Sequence, residues 1–194
     1  MEFKEEQDKI SSFNSIYGKI EKQFPISERK PENSLKKILT NKRYKVFNIL
    51  ENSSECGYFT FFEFMDNTIL IDYFAIYPQY HSNGFGTKAF ELMKKTFSYK
   101  GCFLEVEKIN HKEPNTIRRI NFYTKLGAIK LDINYLYPNS EGYLPMDLYF
   151  MPFKNKYCPE RTNVMKNIEE AFKNIHFDIK NTQEILSQIK HPID

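Results

Sequence analysis

The stretch Ile69 to Ala89, I-L-I-D-Y-F-A-I-Y-P-Q-Y-H-S-N-G-F-G-T-K-A, constrains this chain more than any other. A nearly continuous apolar strand runs into a proline-containing turn, then a loop carrying Gly84 and Gly86, then an amphipathic helix. Strand, glycine loop and helix start together form a device for binding phosphate. The first amides of a helix have no partner within it, and the helix dipole adds partial positive charge there. Glycine lets the backbone come close to an anion where a side chain would block it. A Gly-x-Gly by itself also fits a turn with no ligand, so the surrounding chain has to decide.

Upstream, Ile10, Phe13, Ile16, Tyr17 and Ile20 recur at helical spacing, which predicts a helix from about Glu5 to Phe24, ended by Pro25. A short helix follows over Asn33 to Leu39, with Leu35, Ile38 and Leu39 on one side. Then the period changes. Tyr44–Leu50, Gly57–Phe64 and Thr68–Tyr77 are rich in aromatic and branched residues and predict strands, the last two joined through the turn pair Asp66-Asn67. A helix over Gly84–Tyr99 would bury Phe85, Ala89, Leu92, Met93 and Phe97. After it come a strand at Cys102–Glu107, a helix over Thr116–Leu126 closed by Gly127, and an alternating run Ile129, Leu131, Ile133, Tyr135. Leu144, Met146, Leu148 and Phe150 mark a last strand, and two helical patterns follow at about Pro159–Phe172 and Asn181–Lys190. This order fits an α/β fold with a mixed sheet and helices on both faces. It excludes the doubly wound dinucleotide fold, because an antiparallel hairpin precedes the glycine loop and no acidic residue follows a second βα unit in the required place.

With 194 residues, 41% of them hydrophobic and 27% charged, the chain suits one domain with a small appendage. Its 18 Phe and 13 Tyr, without any Trp, predict a core of flat rings. A net charge of +3 favours anionic ligands but falls short of the basic face of a nucleic-acid binder, so Arg118, Arg119, Lys125 and Lys130 read first as a solvated helix face. Cys56, Cys102 and Cys158 are odd in number and widely spaced, and the four histidines do not cluster, so no metal site is expected. Free thiols in a reducing compartment, no apolar run of about 20 residues and a charged N-terminus together give the expectation of a cytoplasmic protein with no membrane partner.

The glycine stretch resembles the cofactor motif of the GNAT N-acetyltransferases, Q/R-x-x-G-x-G/A, which falls on His81-Ser82-Asn83-Gly84-Phe85-Gly86 with His81 in the Gln/Arg position. A second match follows at Asn115–Ala128, N-T-I-R-R-I-N-F-Y-T-K-L-G-A, similar to the family's segment in which an Asn opens a helix and a Tyr precedes "KLGF". Asn115 stands one residue farther from Tyr123 than is usual there. The resemblance covers about Phe3 to Phe153. It implies a GNAT-like central mixed sheet flanked by helices over 1–153, with 154–194 as a helical C-terminal extension packed on it. It also implies an acetyl-CoA-dependent N-acetyltransferase acting by direct attack of an amine in a ternary complex, with no metal and no nucleic acid, and leaves a homodimer open. Acetyl-CoA would be held by backbone at Phe74, Ala75 and Ile76, by His81, Ser82, Asn83, Gly84, Phe85, Gly86 and Thr87, and by Asn115. Tyr123 would protonate the departing thiolate, the alternative being a core aromatic. Asp72 and Glu105 are the two candidate bases, and either also reads as a structural carboxylate. Cys102 reads as a core thiol, since no covalent intermediate is needed. The acceptor pocket would draw on the "FPISER" loop at Phe24–Arg29 and on Phe24, Glu28, Tyr58 and Phe62, which do not identify the acceptor. A non-catalytic acyl-CoA sensor and a nucleic-acid binder are the competing readings.

Overall fold

A computed structural model describes residues 1–139, 141–154 and 157–190. Eight strands build a mixed sheet flanked by helices. In chain order the elements are β1 (Glu2–Glu5), α1 (Phe13–Gln23), α2 (Glu32–Leu39), β2 (Tyr44–Glu51), β3 (Ser54–Glu63), β4 (Ile69–Ile76) and α3 (Phe85–Thr96). Then follow β5 (Gly101–Glu107), α4 (Pro114–Lys125), β6 (Ile129–Lys130), β7 (Leu136–Asn139), β8 (Gly142–Pro152), α5 (Arg161–Asn174) and α6 (Thr182–Lys190). The contacts divide the chain into two compact units, Met1–Glu63 with Ile71–Ser98, and Phe64–Leu70 with Tyr99–Asp194.

In the first unit the strands run in the order β1-β2-β3-β4, with β1 antiparallel to β2 and β2 antiparallel to β3. The register sets Phe47 opposite Phe59, and one face of these strands carries the expected ring core. Phe47 stacks on Phe59 at 5.1 Å and on Phe61 at 5.7 Å, and Phe97, just past α3, meets Phe47 edge-on at 5.4 Å. Burying each such ring contributes about 1.5–3 kcal/mol. The opposite face carries Tyr44, Asn48, Tyr58 and Thr60, and Lys19 of α1 reaches the Asn48 side chain at 2.9 Å.

The N-terminus departs from its helical pattern. Residues 2–5 form β1, with Phe3 opposite Ile49, and α1 starts only at Phe13. Ile10, which looked like part of the apolar stripe, is 54% exposed. Phe3 packs edge-on against Phe59 at 4.8 Å and stacks on Phe97 at 6.0 Å, so strand pairing and ring burial outweigh helical periodicity here.

In the second unit β8 pairs antiparallel with β5, β6 and β7. The alternating run after Gly127 was expected to be one strand. Ile129 and Lys130 pair with Phe150 and Tyr149, and the Leu131 amide still donates to the Leu148 carbonyl at 2.9 Å. The amides of Ile133 and Tyr135 then turn back to the carbonyls of Leu131 and Ile133 at 2.9 Å each, and Tyr135 enters the core. Leu136–Asn139 instead forms β7, which the alternation did not indicate. Within this unit α5 buries Val164, Ile168, Ala171 and Phe172, and its Asn167 donates to Asp66 at 3.0 Å and Thr68 at 3.2 Å. The expected extension 154–194 includes residues 155, 156 and 191–194, which lie outside the described residues. Cys56 and Cys102 are buried thiols and Cys158 is exposed. Among the described residues no helix is long and apolar enough to cross a membrane.

Candidate active site

The glycine stretch folds as its sequence implies. β4 ends at Ile76, and the Tyr77 amide donates to the Cys56 carbonyl at 2.9 Å, holding the strand end against β3. Gly57 permits this approach, because a Cβ there would lie 2.3 Å from the Ala75 carbonyl oxygen. One helical turn at Pro78–Tyr80 leads to Ser82 and Gly84, both left-handed at φ +62° and +75°. Residues of that hand turn successive amides into a concave cradle for anions. Helix α3 begins at Phe85, and the Lys88 amide reaches the Gly84 carbonyl at 3.0 Å. The amides of Phe85, Gly86 and Thr87 therefore lie in the first turn, where no intrahelical carbonyl serves them. A Cβ built on Gly84 meets no atom within 4 Å, and Ser82, Asn83 and Gly84 are exposed, so the cradle is open to solvent. Phe74 packs on Phe90 of α3 at 4.7 Å and Tyr80 on Phe85 at 5.3 Å, which fixes the helix against its strand. The His81 side chain turns back, its Nε2 lying 2.6 Å from the Ile76 carbonyl oxygen.

Asp72 lies on β4, two residues before Phe74, inside a buried network in the same unit. Its Oδ1 accepts from Lys30 Nζ at 2.5 Å, with the two side chains only 1% and 4% exposed. Its Oδ2 accepts from the Tyr44 hydroxyl at 2.5 Å, and that hydroxyl also contacts Thr60 Oγ1 at 2.8 Å. The Tyr73 amide donates to Thr60 Oγ1 at 3.1 Å. The Tyr73 hydroxyl accepts from the Lys30 amide at 3.0 Å and donates to the Glu28 carbonyl at 3.2 Å, while Phe24 packs edge-on against its ring at 4.8 Å. Burial first, and then the Asp72 charge, push the Tyr44 and Tyr73 hydroxyls well above the ordinary tyrosine pKa. Sequence reasoning missed Lys30, Tyr44, Thr60 and Tyr73. An isolated Lys in a loop reads as solvated, and its partner lies 42 residues away.

The second unit holds the other candidates. Glu105 on β5 accepts a hydrogen bond from the Tyr135 hydroxyl, and His176 Nε2 lies 3.9 Å from the same carboxylate oxygen. His176, which follows α5, carried no signal in the sequence. Asn115 is an exposed residue of the first turn of α4, and Tyr123 is half-buried in its last turn beside Phe122 at 5.2 Å between ring centres. In the basic set, Arg119 pairs with Glu107, and Lys130 with Asp147 at 2.8 Å.

A strand that delivers its chain into a left-handed amide cradle at a helix start is, in an α/β protein, an arrangement able to bind an anion. The family model described as Acetyltransferase (GNAT) family matches residues 13–128, and the chain belongs to that family. No curated protein matches the sequence. Among solved structures it is similar to an acetyltransferase of the GNAT family from Bacteroides thetaiotaomicron, with 20% identity over 93% of this chain and 100% of that one and a TM-score of 0.75. The ribosomal-protein-S18-alanine N-acetyltransferase of Escherichia coli aligns at 18% identity over 82% of this chain and 97% of its own, with a TM-score of 0.58. An aminoglycoside 6'-N-acetyltransferase complexed with coenzyme A aligns at 11% identity over 81% of this chain and 100% of its own, with a TM-score of 0.57. At these identities the likeness is one of fold.

Proposed function

We propose that the protein transfers an acetyl group from acetyl-CoA to a primary amine by direct attack in a ternary complex. The observation that carries this reading is the exposed amide cradle of Ser82–Thr87 at the start of α3, within a chain of the GNAT family. In this reading the cradle takes the pyrophosphate, the last three residues of β4 (Phe74, Ala75, Ile76) present backbone to the acyl arm, and Asn115 contacts the pantetheine. The amine nitrogen forms the new bond to the carbonyl carbon and gives up a proton to water, the C–S bond breaks, and the thiolate takes a proton from Tyr123, which solvent then restores. The resemblance offered Asp72 and Glu105 as bases. Asp72 is tied to Lys30 and Tyr44, which supports a positioning role, in which it anchors the Lys30 loop to β4. The engaged carboxylates also favour one alternative, an acyl-CoA binder without turnover.

The test has two readouts. Acetyl-CoA at saturation should raise the melting temperature, because a ligand bound only by the native state stabilises it. Free thiol should then appear when amines are added. No thermal shift with acetyl-CoA or CoA would overturn the ligand assignment, and a shift without thiol release from any amine would leave the non-catalytic reading standing.

A further inference from the structure

The sheet face that meets α1 carries a set of polar side chains, and all but one are answered by the protein. Tyr44 bonds to Asp72 and Thr60, Tyr73 to Glu28 and Lys30, Tyr77 to Glu55, and Asn48 to Lys19. Tyr58 is the exception. It stands opposite Asn48 in the register, is 1% exposed, and its hydroxyl has no hydrogen-bond partner among the described residues. A buried hydroxyl left unmatched is destabilising, and one that persists beside satisfied neighbours points to a bond completed by a ligand. Burial, then the neighbouring Tyr77, push its pKa well above the ordinary value, so the group stays a phenol with a proton to donate. It is also close to the chemistry in this unit. Gly57, its neighbour in the chain, lies against the Ala75 carbonyl, at the end of the strand assigned above to the acyl arm.

Resting on the acetyl-transfer reading, we propose that the Tyr58 hydroxyl donates to an oxygen of the acceptor, and that the acceptor is an α-amino carbonyl compound such as an amino acid amide or a peptide N-terminus. Tyr58 stands on the strand next to the one assigned to the acyl arm, at the usual strand spacing of about 4.8 Å, and on that placement the oxygen lies near the attacking nitrogen. A carbonyl fits better than a hydroxyl. It only accepts, whereas a hydroxyl that accepts from Tyr58 brings a second proton that needs an acceptor of its own. An oxygen-free polyamine leaves the Tyr58 proton unmatched.

Three probes of nearly equal shape separate these cases: alaninamide, alaninol and sec-butylamine, assayed by CoA release with wild type and Tyr58→Phe. Alaninamide should be the best of the three. In Tyr58→Phe the ratio of its kcat/KM to that of sec-butylamine should fall about tenfold, the worth of one hydrogen bond. The melting temperature should not fall, because the variant removes a polar atom that had no partner. An unchanged ratio means that the hydroxyl serves the thioester or nothing, and overturns the proposal. So does a lowered melting temperature, which marks a structural hydroxyl, or a wild type that prefers alaninol or sec-butylamine. Those failures leave acetyl transfer intact. Absence of CoA release with any amine, spermidine included, while acetyl-CoA still raises the melting temperature, overturns acetyl transfer and this proposal with it.

Discussion

Replacing Asp72 by Asn keeps the shape of the side chain but strips the counter-charge from Lys30. The pair is 2.5 Å apart, and its side chains are 1% and 4% exposed, so water cannot take over the role of the lost carboxylate. Breaking a buried ion pair by removing one partner costs about 3–5 kcal/mol. For a chain of this size each kcal/mol moves the melting temperature by about 2–4 °C, so Asp72→Asn should melt roughly 6–20 °C below wild type. The Tyr44 hydroxyl can still donate to the Asn oxygen, so the loss reports the charge and not the neighbouring bond.

The companion variant, Lys30→Met with Asp72→Asn, removes both charges and fills the volume. Removing a buried pair together is often close to neutral, so the double variant should recover to within about 2 kcal/mol of wild type. Thermal melts followed by circular dichroism, with kcat on the best amine measured beside them, check both statements. An Asp72→Asn melting temperature within about 2 °C of wild type would refute the buried-pair reasoning. A double variant that is stable but slower by about two to four powers of ten would make Asp72 the general base instead.

Three further outcomes follow from the site. Gly84→Asp should abolish the acetyl-CoA thermal shift, since it puts a carboxylate in the amide cradle and a Cβ on a residue at φ +75°; a retained shift would show that the anion lies elsewhere. Tyr123→Phe should lower kcat by about two to four powers of ten with the melting temperature unchanged, whereas normal kcat with a lowered melting temperature would make the tyrosine structural. The raised pKa values of Tyr44, Tyr58 and Tyr73, due first to burial, mean that their contribution to stability is whole below the unfolded value of about 10 and is lost as pH climbs toward the folded values. The share of phenolate absorbance that belongs to these three of the 13 tyrosines should therefore appear together with loss of the far-ultraviolet dichroism above about pH 10; full ionisation of all 13 near pH 10 with the fold intact would contradict it.

What was legible in the sequence was local. The strand, turn and helix of 69–96 are contiguous, so their chemistry is set by neighbours in the chain, and Ala89 and Met93 are buried as the periodicity requires. Leu35, Ile38 and Leu39 of α2 likewise lie inside. What was not legible depends on distant partners. β1 exists because Phe3 finds Phe59 and Phe97, and Lys30 is buried because β4 offers Asp72. The run Ile129–Tyr135 alternates like a strand, yet the amides of Ile133 and Tyr135 turn back on the run itself while the Tyr135 hydroxyl donates to Glu105, and alternation cannot report that competition.

The state of the two candidate carboxylates also bears on the acceptor, by a route independent of Tyr58. Asp72 is held by Lys30 and Tyr44, while Glu105 accepts from Tyr135 and lies beside His176. On the acetyl-transfer reading, carboxylates engaged in this way are poor bases, and the acceptor amine arrives largely neutral. At pH 7 a lysine-like amine is neutral in roughly one molecule in two thousand, whereas an α-amine with a pKa near 8 is neutral in roughly one in ten. A site of this kind therefore favours an α-amine by about two powers of ten before any contact is made. The consequence is measurable in the pH dependence of kcat/KM. The rising limb should bend at the acceptor's own pKa, near 8 for alaninamide and near 10 for sec-butylamine, because the neutral amine is the reacting species. A limb bending at one pH for both acceptors would show that a group on the protein takes the proton, and the inference from the engaged carboxylates would be wrong.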